Sequence, residues 1–309
     1  MVATQSRPAP EKTRSSDRDP SLTRDRVERA VLPYVRWIVI ALLVLASVVP
    51  FYYMLLLSVR SIQDLLLDPG NLAINPVDIS VDAYKQVLSS TSNGGQGFLT
   101  LIRNSLLVAL GTVVITLAVS IPGAYAVSRL VFKGRRQISA LFLGVYLFPS
   151  VVVAVPLFVI FARVGLRGSL VGLAIVYVAQ TIPVAVYMLR GYFDTIPTSL
   201  EEAALLDGCS RFGVIRRVSL PLAMPSIMAT ALYVCMIAWN EFLFALLFLV
   251  QDRDRWTVSL GLAQLSGSIE VPTTVLMAGS VVLTLPIIAL FFLTERFLVE
   301  GLSAGAEKG

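Results

Sequence analysis

Long apolar runs alternate with short polar ones along most of this chain. Six runs, approximately 35–58, 101–129, 137–162, 169–190, 222–250 and 273–294, are almost free of charge. A helix needs about 20 mostly apolar residues to cross about 30 Å of hydrocarbon, so each run predicts a membrane span. The pattern therefore describes an all-α membrane protein with six transmembrane helices. An even number of spans leaves both termini on one side. Cytoplasmic segments near spans carry an excess of Lys and Arg. Segments 1–36, 129–136, 190–217 and 296–309 hold 18 of the 25 basic residues, which places both termini in the cytoplasm.

The polar stretches complete this outline. Residues 1–33 are rich in Arg, Asp, Ser and Pro, and read as a flexible cytoplasmic tail with too few apolar residues to offset the entropy of ordering. The first apolar run begins too late and is too long for a signal peptide, so it reads as a retained span. A six-span domain follows over 34–300, with a cytoplasmic loop at 191–221 and a short cytoplasmic tail at 301–309. The external segment 59–100 is either a contact for an outside partner or a solvated connector. Prolines 50, 122, 149, 156, 183 and 286 fall within spans, as kinks or as breaks beside a transport path.

Composition agrees with this reading. Hydrophobic residues make up 56%, charged residues 15%, and mean hydropathy is +0.78, beyond what the core of a soluble 309-residue domain needs. The net charge of +5 follows from the basic tail and loops and gives no reason to invoke nucleic acid. With no histidine, His-based catalysis and His-ligated metals are excluded. Cys209 in the loop and Cys235 in a span are poorly placed to pair.

The loop at 191–221 carries the most specific pattern. Ser199 followed three residues later by Glu202 fits a capping box, Pro197 precedes it, and Gly208 suits a left-handed C-terminal cap. These signals predict a helix over 199–207. Leu200, Ala203, Ala204 and Asp207 would share a face that the alanines make smooth enough for close approach by a partner.

The order Glu202-Ala203-Ala204, then Gly208, then Val218-Ser219-Leu220-Pro221 closely resembles the EAA loop of ABC-importer permeases. Val218 stands where that family usually has isoleucine. The resemblance implies a type I ABC-importer permease fold and a helix that seats in a cleft on an ATP-hydrolysing subunit. Ser199, Leu200, Glu202, Ala203, Ala204, Asp207, Gly208, Leu220 and Pro221 would then form the coupling surface, with Glu202 and Gly208 foremost. Nothing resembles a GxxxxGK[ST] phosphate loop, so ATP and Mg are expected on partner ATPase chains and no cofactor or metal on this one. Arg211, Arg216 and Arg217 would face either the ATPase surface or anionic lipid heads.

The second sharp feature is Trp239-Asn240-Glu241-Phe242-Leu243 in the fifth apolar run. A carboxylate near the bilayer centre costs roughly 3 kcal/mol, so Glu241 should face a cavity, a partner or the bundle interior. Asn240 and Glu241 either line the translocation path or its gate, or form an interhelical hydrogen-bonded clamp. This run, with Ala124-Tyr125-Ala126 and Arg129, resembles carbohydrate permeases of the maltose/trehalose, MalG-like type.

That resemblance implies an inner-membrane subunit importing a sugar such as maltose or trehalose. Its partners would be a second homologous permease, two cytoplasmic ATPase subunits, an extracytoplasmic solute-binding protein and membrane lipid. A polyol, glycerol phosphate or amino acid is the alternative cargo. In the maltose importer the sugar is held chiefly by the other permease, so Asn240 and Glu241 are not thereby sugar ligands. An ATP-independent channel would not need a capped cytoplasmic helix. An intramembrane enzyme would want paired acids or a nucleophile with its base at membrane depth, where only Glu241 is clearly placed.

Overall fold

The computed structural model describes residues 20–74 and 79–306; the expected tail at 1–19, residues 75–78 of the external segment and the last three residues lie outside it. Every regular element among the described residues is helical. The chain divides into two units, up to Tyr53 and from Met54 onward.

The described part of the first unit is a single helix, the beginning of α1 (Pro20–Val59). It starts well before the expected span and so occupies residues 20–33, which the sequence assigned to a flexible tail. The reason is cooperative. Once the apolar segment has nucleated a helix, adding good helix formers such as Leu22, Arg24, Glu28 and Ala30 costs little. From Val31 to Tyr53 the helix is mostly apolar and exposed all round, as suits a surface against hydrocarbon, and only its last turn is buried, at Leu56, Leu57 and Ser58.

From Met54 the second unit adds α2 (Ile62–Leu67), α3 (Asp82–Leu88), α4 (Phe98–Arg129), α5 (Arg135–Tyr146), α6 (Ser150–Arg163) and α7 (Leu170–Phe193). Short α8 (Thr198–Leu206), α9 (Arg211–Val214) and α10 (Leu220–Leu222) lead into α11 (Met224–Asn240), α12 (Leu243–Leu249), α13 (Val258–Ser266) and α14 (Thr273–Ala306). Helix α14 continues through residues 301–306, which were expected to be tail.

The spine of this unit is the α4/α7 pair, on which α11 packs, with α14 against α11. Along its buried face α4 presents Ser105, Ala109, Thr112, Thr116, Ser120 and Ala124 at spacings of three or four. Small residues at that period let two membrane helices approach closely, and hydroxyls can then bond across the gap. Thr116 and Thr181 do so at 2.9 Å. At the N-terminal end of α4 the core gathers Phe98, Leu173, Tyr177, Trp239, Phe244 and Phe248; at its C-terminal end a second cluster holds Ala124, Val186, Leu189, Phe193, Ile196 and Ile227.

The span pattern is more broken than the apolar runs suggest. Four described helices are long and apolar enough to cross a membrane: Val31–Val59, Phe98–Arg129, Leu170–Phe193 and Thr273–Glu295. A fifth exists if the pair Arg211–Leu222 and Met224–Asn240, bent by 74°, is one span. The run 137–162 is two helices, α5 and α6, separated at Leu147–Pro149. Proline disfavours helical backbone at the preceding Phe148, and Pro149 itself is extended, with ψ 121°. The run 222–250 likewise divides into α11 and α12 at Glu241–Phe242. Hydropathy reports composition over a window and is blind to such breaks.

Candidate functional site

Helix α8 occupies the predicted position with a different N-terminus. Its N-cap is Pro197, no side chain caps it, and Ser199 already lies within the helix, so the expected Ser199–Glu202 capping box does not form. The cause lies just upstream. Ile196 is buried and its carbonyl accepts a bond from Arg129 Nη2 at 2.7 Å, so the chain is held there and turns into the helix directly after Pro197.

The C-terminus follows the sequence reading. Gly208 has φ +85°, its N–H donates to the Leu205 carbonyl at 3.0 Å, and Cys209 N–H donates to the Ala204 carbonyl at 3.0 Å. This is a Schellman closure, which needs a left-handed residue at the glycine position.

The face that α8 presents outward is largely apolar. Leu200, Ala203 and Leu205 are exposed, Ala204 is half-buried, and Leu206 is 89% exposed, with Phe212 nearby in sequence at 73%. Glu202 and Asp207 are also exposed. The only residue of α8 that is buried is Glu201, which sequence reasoning did not single out.

Glu201 is the centre of a polar cluster. Its Oε1 accepts from Arg129 Nε and from Ser219 Oγ, each at 3.0 Å, and its Oε2 accepts from Tyr125 Oη at 3.1 Å. The Arg129 and Glu201 side chains retain 11% and 10% exposure, so this is a buried ion pair whose remaining acceptor capacity is met by two hydroxyls. Ser219 belongs to a single π-helical turn, Ile215–Ser219, and Leu220 packs against the second core cluster while Pro221 is exposed. The two ends of the 202–221 motif are therefore brought together through the neighbour of its first residue. The available signal was the pair of adjacent acids at 201 and 202, and Arg129, 72 positions away, gave no local hint of which one turns inward.

Asn240 and Glu241 sit apart from α8. Glu241 is the residue at which α11 ends, and its carboxylate accepts from Tyr177 Oη at 2.6 Å, Phe244 N–H at 2.9 Å and Ala245 N–H at 3.2 Å. It thus satisfies orphan donors at the start of α12, where a negative charge also meets the positive end of the helix dipole. Its own carbonyl accepts from Ser259 Oγ at 2.6 Å, and the Trp239 indole donates to the Leu283 carbonyl at 3.1 Å. Asn240 is exposed, with its amide donating to the Met236 carbonyl at 2.9 Å.

At the break between α5 and α6, these two helices with α7 and α11 border a cleft of about 990 Å³ lined by Phe148, Ser150, Gln180, Tyr233 and Ile237 among others. The buried Gln180 Nε2 has no hydrogen-bond partner among the described residues. No group of three or more acidic, Cys or His side chains among those residues is arranged to hold a metal ion.

Residues 120–299 match the family described as binding-protein-dependent transport system inner membrane component. The chain is 38% identical over 271 residues to the inner membrane ABC transporter permease protein YcjP of Escherichia coli K12, covering 87% of this chain and 94% of that one. It is 35% identical over 289 residues to the trehalose/maltose transport system permease protein MalG of Thermococcus litoralis, covering 93% and 99%. Among solved structures, a chain of a bacterial ABC transporter that imports the acidic polysaccharide alginate superposes with a TM-score of 0.73, at 23% identity and with coverages of 88% and 97%.

Proposed function

This chain belongs to the family of inner membrane components of binding-protein-dependent transport systems, and on that premise we propose that it imports a di- or oligosaccharide by coupling α8 to partner ATPases. It is a multi-pass permease subunit of an ABC sugar importer and is not itself an enzyme. A second homologous permease, two cytoplasmic ATPase subunits binding ATP and Mg, and an extracytoplasmic solute-binding protein complete the assembly. Maltose and trehalose are the cargo we favour, supported by the similarity to the Thermococcus protein.

The observation that carries the coupling role is the inversion of α8. A short helix in a loop ordinarily buries its apolar side; this one buries a single carboxylate and exposes Leu200, Leu205 and Leu206. Such a surface needs a cover, and a cleft on an ATPase subunit supplies one. Glu202, exposed beside it, is free for charge-assisted contact. We further assign six crossings with both termini cytoplasmic, the third made by α5 and α6 together and the fifth by α11 and α12. Glu241 acts as the clamp that holds the break in the fifth crossing, and the cleft bordered by α5, α6, α7 and α11 forms this chain's wall of the solute path.

The test is uptake of radiolabelled maltose, trehalose and a mixture of amino acids into proteoliposomes carrying the assembled complex, with and without ATP, for wild type and Gly208→Asp. Gly208 has open space around its Cα, so the aspartate is opposed by the left-handed backbone and by its charge at the docking surface. ATP-dependent uptake that the substitution abolishes supports the reading. Uptake indifferent to both ATP and the substitution would overturn it in favour of a facilitator, and ATP-dependent uptake of an amino acid alone would overturn the sugar assignment.

A further inference from the structure

We propose that Arg129 is a positioning residue for coupling, holding α8 to the end of α4 through Glu201 so that displacement of α8 is carried into that span. This rests on the permease reading above and specifies how the docked helix acts on the membrane part. Three segments converge on the last turn of α4. Glu201 of α8 receives Arg129 Nε at 3.0 Å and Tyr125 Oη at 3.1 Å; the segment entering α8 is held by Arg129 Nη2 on the Ile196 carbonyl at 2.7 Å; the segment leaving it is held by Ser219 Oγ on Glu201 at 3.0 Å. At the adjacent position Ser128 donates to Asp194, which also pairs with Arg190 at 3.5 Å, and Arg135 Nη2 donates to the Ser128 carbonyl at 3.0 Å.

The physical case is one of stiffness. Helix α8 buries no apolar side chain among its nine residues, so packing does not bind it to the bundle. Its flanks are a proline and a left-handed glycine, both in short turns. What remains is the ion pair at about one-tenth exposure, and separating such a pair leaves two charges unpaired in a poorly solvated place. A pull on the exposed face of α8 is therefore transmitted through the guanidinium to α4, a 32-residue helix packed along α7 and α11. Without the pair, α8 could still dock on its partner, but the loop would absorb the motion.

The experiment uses the whole assembled complex in proteoliposomes, comparing wild type with Arg129→Gln and Glu201→Gln. Glutamine at 201 keeps the shape, with its oxygen accepting from Arg129 and Ser219 and its amide placed to donate to the Tyr125 hydroxyl, so it alters the charge pairing with little change in packing. Sugar uptake is measured with ATP hydrolysis in the same vesicles, together with ATP-dependent labelling by maleimide of a cysteine at Leu99, the exposed start of α4. The expected result is assembly and ATP hydrolysis within about twofold of wild type, sugar moved per ATP lower by about tenfold or more, and the ATP-dependent change in labelling lost. A merely structural role would reduce the amount of complex and leave sugar per ATP unchanged in what assembles. Variants that keep the wild-type ratio and labelling change, or that both fail to assemble, would overturn the proposal. Absence of ATP-dependent uptake in the wild type would instead overturn the permease reading, while the labelling comparison still reports on the link between α8 and α4.

Discussion

Two hydrogen-bonded carboxylates, Glu201 buried and Glu241 half-buried, do different work here. Glu241 was recognisable because an acid in the middle of an apolar run must find partners, and it does, in Tyr177 and the first N–H groups of α12. Glu201 was not, because an acid in a polar loop carries no such demand, and only the fold shows that it faces Arg129. The Glu241 geometry makes a graded prediction. Glu241→Gln keeps an acceptor for the hydroxyl and one N–H, and should cost about 1–2 kcal/mol; Glu241→Leu leaves all three donors orphaned and should cost several kcal/mol. Thermal unfolding in detergent, followed by the Trp239 environment, checks the order. Equal loss for both variants would mean that the carboxylate's hydrogen bonds do not hold the break.

At the scale of the element, α8 shows how neighbouring structure can override a local signal. Ser199 and Glu202 had the spacing of a capping box, but the tethered Ile196 makes the helix begin one residue earlier, at Thr198. The glycine signal survived because nothing competes with it: φ +85° is a requirement of the closure itself. An alanine at 208 meets no neighbour, yet must adopt a left-handed backbone at a cost of about 1–2 kcal/mol. Amide exchange at Gly208 and Cys209, whose N–H groups close the helix, should accelerate by about tenfold in Gly208→Ala. The outward face makes a second prediction. In a chain without Cys209 and Cys235, a cysteine at Leu206 should label rapidly with maleimide in the isolated permease and be protected once the ATPases are bound. Undiminished labelling in the full complex would place the docking surface elsewhere.

For the whole molecule, the open question is which way the helices cross. Val131 and Leu206 are highly exposed on the loops after α4 and α7, while Leu67 and Ile269 are exposed on segments assigned to the opposite side. Single cysteines at the first two should react with an impermeant maleimide only in inverted vesicles, and those at the last two only in intact cells. A different division would break the assignment of both termini to the cytoplasm. The same scheme tests the interrupted third crossing, since 131 and 206 can share a side across α7 only if α5 and α6 together cross once.

The sequence by itself determined the class of this protein and the place of the short loop helix that Gly208 closes. Twenty-residue apolar stretches, basic loops and a glycine that must be left-handed are local properties, written in the residues that have them. Tertiary structure alone decided where the fifth apolar run breaks, which of two adjacent glutamates is buried, and that a proline rather than a serine begins α8. Each of these depends on a partner remote in the chain: Tyr177 for Glu241, and Arg129 for both Glu201 and Ile196. A buried charge or a tethered carbonyl takes its energy from what the fold sets beside it, and that neighbour is absent from any local window of sequence.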